Sequence, residues 1–527
     1  FYIYSKKEPQ AIRENNKIKR LYYIPIAVYM LMIILSTIFS KAQLTSLTGF
    51  PDRYEGMPVL LSYMLIVIIT INLFHKKEQF QFIINALLTS AVIIALIGLS
   101  QFFEMDFFQT VLGKMLILPQ ENFDMLSQGF VSRFEERNIL ISTLYNPNYA
   151  GSYFSMLFVL SSVLYFFEET IKKKVILGGV STLMFAAWLG SLSRAGILGA
   201  LFALLIMVVI SRKEIMKRWK SLVAISLVFL AVFSFMDIYT DGSLRREFLT
   251  LGDETKLALT GETEEITDVY SANGILYFNT ARNKLRFKLN YRDNIRKKPV
   301  IVSNGKNINI EYELINEEYI FKNEDLKEYS FRIHNNNVLE LNYGNKEIGF
   351  LYSGFFNQFL ALGIRNNEYF LKEVDNWGFE GKEQLASKRG YICLRTIPLL
   401  NNKIFLGAGP DTFAVFFPQH DIVGKIKHLN NPATIVDKPH NMYLQIWFNN
   451  GLISLISVLI LFFVYFIKNS IYFIKNGFDN YYSKVGFSFL IASLAYMISG
   501  FFNDSVISVA PVFWIIIGLG IAVEANK

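Results

Sequence analysis

The chain has 527 residues, 52% of them hydrophobic, 15% aromatic and only 18% charged, which excludes an ordinary soluble protein of this length and points to the membrane class. Its formal net charge of +8 lies mostly in short Lys/Arg clusters between apolar runs, where it sets orientation in a bilayer and argues against a nucleic-acid face. The single cysteine, Cys393, excludes an intramolecular disulfide and any cysteine-based metal site.

The chain begins at Phe1, and FYIYSKK reads as the cytoplasmic end of an apolar segment whose earlier part is missing. Runs of about 17 to 24 apolar residues follow, the length an α-helix needs to cross roughly 30 Å of hydrocarbon. They predict ten spans, near 21–40, 57–74, 82–103, 149–167, 174–191, 195–210, 221–239, 452–468, 485–502 and 506–523. The loops KKEPQAIRENNKIKR, HKKEQ, EETIKKK, SRKEIMKRWK and KNSIYFIKNG share one side and carry a Lys/Arg excess, which places them in the cytoplasm. The other side receives residues 41–56, the stretch 104–148, the turn at 192–195 and everything from about 240 to 451.

That last segment is too long and polar for a connector. Between 270 and 350 it reads ILYFNT, KLRFKLN, PVIVS, INIEYEL, YSFRI and VLELNY, alternating runs separated by Asn, Gly, Lys and Asp clusters, the pattern of antiparallel strands with one wet face. After about 385 the apolar stretches are broken by Gly and Pro, which suits segments lining a cavity at the outer membrane surface. The expected architecture is an all-α polytopic membrane bundle with a β-rich extracytoplasmic insertion. Its parts are an N-terminal transmembrane region at 1–240, the insertion at 241–385, an interfacial catalytic loop at 386–451 and a C-terminal transmembrane region at 452–527.

Several polar residues stand out against this apolar background. His440 precedes the amphipathic stretch MYLQIWFNNG, where an imidazole is suited to accept a proton from a sugar hydroxyl; a solvated or structural histidine is the alternative. Arg194 lies between two apolar runs joined only by SLSRAG, so close to hydrocarbon that something must compensate it. It either snorkels to the surface or faces the bundle to hold a diphosphate, whose oxygens match the planar guanidinium fork. Arg389 has the same two readings. Arg53, in GFPDRYEG, is a solvated loop residue or a substrate contact, with Asp52 and Glu55 as available ion-pair partners. Gly407 and Gly409 read as a turn, since no P-loop lysine follows. His75, His334, His420 and His428 lack the spacing of a zinc site, and no Asp-x-Asp pair is present, so no metal and no cofactor is expected.

Taken together, KRGYICLRTIPLLNNKIFLGAGPDTF and DKPHNMYLQIWFNNGLISLI, with GFPDRYEG, LYNPNYAG and SLSRAG earlier, resemble the O-antigen ligase and O-antigen polymerase family of lipid-linked glycan transferases. The likeness covers nearly every part except the insertion at about 241–385. It implies a glycosyltransferase-C-like bundle in the bacterial cytoplasmic (inner) membrane, with His440 as the essential histidine and Arg194 and Arg389 holding a polyprenyl-diphosphate-linked glycan donor. Arg53, Asn441 and Tyr443 become the expected substrate-binding residues. The implied chemistry is metal-independent inverting transfer to a glycan, lipid or protein acceptor, and a Lys-, Asn- and Ile-rich composition favours a polymerase or another cell-surface glycan transferase. A transporter or flippase of lipid-linked glycans is the competing class, against which the large one-sided loop counts; a non-catalytic envelope scaffold is the third.

Overall fold

The computed structural model describes residues 10–117, 138–247, 249, 266–289, 300–306, 308–334, 337–372, 374–378, 381–429 and 431–525. The opening FYIYSKK, the middle of the 104–148 stretch and residues 250–265 of the insertion lie outside the described residues. The chain divides into two compact units, one comprising 1–252, 402–412 and 440–527, the other 253–401 and 413–439.

The first unit is helical. In chain order it contains α1 (Gln10–Ile38), α2 (Gln43–Thr48), α3 (Met57–Leu73), α4 (Lys77–Phe102), α5 (Val111–Ile117), α6 (Pro147–Phe167), α7 (Ile171–Gly190), α8 (Arg194–Ile210) and α9 (Arg212–Tyr239). Every apolar stretch read as a span is helical. Among the described residues, six helices are long and apolar enough to cross a membrane: the Lys19–Ile38 part of α1, α4, α6, α9, Leu452–Asn476 and Tyr481–Ser499. Met57–Leu73, Arg194–Ile210 and Ala510–Ala525 are apolar but shorter, and α7 opens on three lysines, Lys172 to Lys174. The protein is therefore mostly helical, with six candidate membrane-crossing helices among the described residues where the sequence predicts ten.

Local chemistry explains where the helices begin. Asn146 accepts from the Asn148 N–H and Pro147 follows it to open α6, while Ser193 accepts from the Gly196 N–H to open α8. Inside the bundle, 89% of the apolar window of α6 is buried against 11% for α9, so α6 is an interior helix and α9 presents Leu227, Leu230 and Ile238 outward. Gly151 of α6 and Gly196 of α8 allow the closest approach: a Cβ on Gly151 would lie 2.0 Å from the Ser193 Cβ, and one on Gly196 2.7 Å from the Gly151 carbonyl oxygen.

The described residues of the second unit carry eleven strands: β1 (Ile266–Ala272), β2 (Ile275–Thr280), β3 (Lys284–Leu289), β4 (Val300–Asn304), β5 (Tyr312–Ile315), β6 (Glu318–Phe321), β7 (Tyr329–His334), β8 (Val338–Tyr343), β9 (Lys346–Ser353), β10 (Gln358–Leu362) and β11 (Glu368–Phe370). Strands β1 to β4 form one antiparallel sheet in sequential order, and β5 to β11 form a seven-stranded antiparallel meander. Alternation is strict in β2 and β8, which bury every second side chain. The buried faces of the two sheets share one core: Phe278 meets Tyr343, and Phe287 meets Phe331, edge to face at 5.9 and 6.0 Å. Each such fully buried phenylalanine contributes about 1.5–3 kcal/mol. Beyond the sheets come α10 (Leu385–Leu400), α11 (Phe413–Phe416) and α12 (Ile422–His428), whose Ile422 and Ile426 join the sheet core.

The chain then returns to the first unit through α13 (Met442–Asn450), α14 (Leu452–Asn476), α15 (Tyr481–Ser499) and α16 (Ala510–Ala525). The segment read as one interfacial loop at 386–451 is thus shared between the units, with 402–412 and 440–451 packed in the helical one.

Candidate functional site

The short motifs of the helical unit meet at one end of the bundle, where α1, α4, α7, α9 and α15 end and α3, α6, α8, α14 and α16 begin. Asp411 of GAGPDTF accepts from the backbone N–H groups of Phe50 (2.7 Å) and Glu55 (3.1 Å), joining that loop to GFPDRYEG. Asn503 donates to the Asn148 carbonyl and to Ser152 Oγ, tying the α15–α16 loop to the start of α6. Ser499 Oγ donates to the Ala195 carbonyl beside SLSRAG. The glycine pair has the structural role expected of it: the N–H groups of Ala408 and Gly409 bind the Phe448 and Asn449 carbonyls, which α13 leaves open at its C-terminus. Gly407, at φ +71°, passes so close that a Cβ would stand 2.4 Å from the Asn449 oxygen.

His440 joins this end through Asp504 of the α15–α16 loop. Its Nδ1 lies 2.8 Å from Asp504 Oδ2, and the Asp504 side chain is completely buried whereas that of His440 is 35% exposed. His440 takes a left-handed backbone, φ +51°, a conformation that costs about 1–3 kcal/mol outside glycine and persists only where neighbours enforce it. The enforcement is visible in the next residues. Asn441 caps α13 by accepting from the Tyr443 and Leu444 N–H groups while its Nδ2 donates to the Phe501 carbonyl. The Met442 N–H donates to the Gly500 carbonyl, and the Tyr443 hydroxyl to the Met497 carbonyl, with the Tyr443 ring 4.5 Å from that of Phe501. The polar groups of Asn441 and Tyr443, expected to touch substrate, are thus engaged in holding the first turn of α13 on the end of α15.

A second network fixes the other side of Asp504. Buried Glu55 accepts from Tyr63 (3.0 Å), Ser505 Oγ (3.2 Å) and Gln445 Nε2 (3.2 Å), and the Ser505 N–H donates to Gln445 Oε1 at 2.8 Å. A buried carboxylate requires such donors. With Ser505 bonded through both backbone and side chain, the adjoining Asp504 is held toward the imidazole.

The three arginines differ. Arg53 stacks over Tyr145 at 5.3 Å and Tyr149 at 6.0 Å, cation–π contacts that join its loop to the start of α6. Arg194, the first residue of α8, gives its Nε to Glu247 Oε1 at 2.6 Å, in a half-shielded ion pair. That glutamate is the compensation a near-hydrocarbon arginine demands. Arg389 belongs to the second unit, half-buried in the opening turns of α10 and directly after Lys388, whose backbone is also left-handed at φ +72°.

The second unit has a buried polar cluster of its own. Arg395 Nε meets Asp421 Oδ2 at 2.5 Å, and the same carboxylate accepts from the Tyr391 hydroxyl (3.0 Å) and the Gly424 N–H (3.0 Å). Lys425 donates to the Gln419 carbonyl and side chain. His428 stacks on Tyr391, 5.2 Å between ring centres. Burial, aided by the positive charges of Lys427 and Arg395, lowers the His428 pKa to about 4, and burial lowers that of Lys425 to about 8 against the pull of Asp421. These groups lock α12 against α10.

Among the described residues no group of three or more His, Cys, Asp or Glu side chains could hold a metal ion. His334 pairs with Glu340 on the sheet surface, and His75 accepts from the Tyr482 hydroxyl through its carbonyl. Sequence reasoning missed Asp504, Glu247 and the role of Asp411. Asp504 carried one legible signal, an acidic residue in FFNDS between two apolar runs. No protein-family model matches the chain, and no curated protein or solved structure matches it.

Proposed function

We propose that this protein is a glycosyltransferase of the O-antigen ligase and polymerase type, elongating or transferring a polyprenyl-diphosphate-linked glycan at the outer face of the bacterial cytoplasmic membrane. The observation that carries the reading is the His440–Asp504 pair: a part-exposed imidazole, held in a strained backbone, whose Nδ1 faces a buried carboxylate. A carboxylate accepting from Nδ1–H leaves Nε2 with its lone pair, the form a general base needs. In the transfer step an acceptor hydroxyl attacks the anomeric carbon, its proton passes to His440 Nε2, and the carbon–oxygen bond to the diphosphate breaks with the electron pair leaving on phosphate. A single displacement inverts that carbon.

The diphosphate needs cationic donors as its charge grows. Arg194, in the helical unit with His440, takes that role in this reading by exchanging its bond to Glu247 for one to phosphate. Arg53, positioned over two tyrosines, offers a further guanidinium to the donor. Asn441 and Tyr443 serve as positioning residues for His440. In this reading the helices at the predicted spans, six of them long and apolar enough to cross a membrane among the described residues, form a glycosyltransferase-C-like bundle, and the Lys/Arg excess of the loops on one side favours an extracytoplasmic β-rich unit. Comparing the mass profile of surface glycans from cells with and without the protein tests the function and reveals the acceptor. Shorter or missing chains in its absence support transfer; an unchanged profile refutes it. A flippase would instead lose donor delivery while His440→Ala left delivery intact.

A further inference from the structure

We infer that the second unit carries a binding site for an uncharged sugar ring in the cavity beside Trp377. The cavity has a volume of about 730 Å³ and is lined by Asp375, Asn376, Trp377, Ile397, Pro398 and Asn401, with Val374 at its edge. That size falls within the roughly 300–1,000 Å³ usual for small-ligand sites.

The site is built by a helix defect. Pro398 lies inside α10 and has no N–H to give the carbonyl of Leu394, four residues earlier. The Trp377 N–H takes that carbonyl instead, at 3.3 Å, so the loop 374–378 is pinned to the helix at the residue that bears the indole. Gly378, the next residue, takes φ +95°, a conformation that favours glycine. The indole is 65% exposed, although burying so large an apolar ring would be favourable.

Chemistry selects the ligand class. A pyranose offers an apolar face of C–H groups and a rim of hydroxyls, and this cavity offers an aromatic face with one carboxylate and two carboxamides around it. Asp375, Asn376 and Asn401 are exposed, so their polar groups are open to a ligand. Asp375 accepts from hydroxyls and repels phosphate, so the site suits the neutral part of a glycan and not a diphosphate. The inference is drawn from Trp377 and its neighbours alone and does not rest on the transfer chemistry proposed for His440.

The test is saturation-transfer NMR on the full chain in a detergent with no sugar headgroup, using the methyl glycosides of glucose, galactose, mannose and N-acetylglucosamine as probes. Transfer to ring C–H protons of at least one glycoside is expected, with affinity reduced at least tenfold in Trp377→Ala and several-fold in Asp375→Ala, and largely kept in Trp377→Phe. His440→Ala should bind as the wild type does, which separates this site from the transfer reading. Both altered side chains are exposed, and matching unfolding midpoints establish that the variants are folded. No transfer to any of the four glycosides, or equal transfer in the wild type and Trp377→Ala, overturns the site.

Discussion

The imidazole of His440 and the carboxylate of Asp504, 64 residues apart in the chain, stand 2.8 Å from each other at the end of the helical bundle, one part-exposed and the other buried. If Asp504 fixes the tautomer of His440, Asp504→Asn should lower kcat on the order of 10²-fold with little change in KM, because a carboxamide retains shape but not the charge that stabilises the protonated ring. Its pH–rate profile should lose or shift the limb belonging to His440. Unchanged kcat and profile in a folded variant would remove Asp504 from the chemistry.

Arg194 and Glu247 make a second pair with a directional test. Arg194→Lys keeps the charge but loses the fork, and should weaken donor binding by about 1.5–3 kcal/mol, with Arg194→Ala weaker still. Glu247→Gln removes the competitor for the guanidinium and should not raise KM for the donor. Wild-type KM in both arginine variants, with altered thermal stability alone, would assign Arg194 to the Glu247 ion pair and nothing more.

The buried imidazole of His428 makes the second unit acid-sensitive. Its folded-state pKa is lowered from the usual 6.5 to about 4, so between those values the unfolded chain binds a proton that the folded chain refuses. Stability therefore falls as pH drops from about 6.5 toward 4, by on the order of 3 kcal/mol if the whole shift is expressed. Lys425, shifted to about 8, acts only in the alkaline range. Unfolding midpoints between pH 7 and 4 should fall more steeply in the wild type than in His428→Phe; parallel curves would show that the histidine does not set the acid limit.

Sidedness is open to a labelling test. In a Cys393→Ser background, a cysteine placed at the exposed Lys306 or Lys327 should react with a membrane-impermeant thiol reagent on intact cells or spheroplasts. Labelling that appears only after lysis would reverse the orientation.

The sequence made some of this structure legible and hid the rest for physical reasons. Apolar runs located the helices at the predicted span positions, though only six of them, among the described residues, are long and apolar enough to cross a membrane, and alternation located strands such as β2 and β8, because both signals are local. Strands β1, β6, β9, β10 and β11 were not foreseen: β10 has three consecutive buried residues, Phe359 to Ala361, and β11 is only three residues long, so neither alternates visibly. The ends of α14 and α1 extend past the apolar runs on polar turns. His440 drew attention in the sequence as the histidine before the amphipathic stretch MYLQIWFNNG. Asp504 was not legible, since its meaning depends on a contact made across 64 residues. Nor were the cation–π contacts of Arg53 with Tyr145 and Tyr149, which lie about 90 residues further along the chain. Asn441 and Tyr443 were legible as important residues but not as residues whose polar groups bind the backbone of the α15–α16 loop.

The most direct test of the transferase reading is an assay of purified protein with a polyprenyl-diphosphate oligosaccharide as donor and a second lipid-linked oligosaccharide as acceptor, products being followed by mass spectrometry in wild type and His440→Ala. The wild type should lengthen the acceptor by whole donor units and release polyprenyl diphosphate, and His440→Ala, folded by its unfolding midpoint, should be slower by about 10²–10⁴-fold. Equal rates in the two proteins would contradict the role of His440 at the centre of the mechanism.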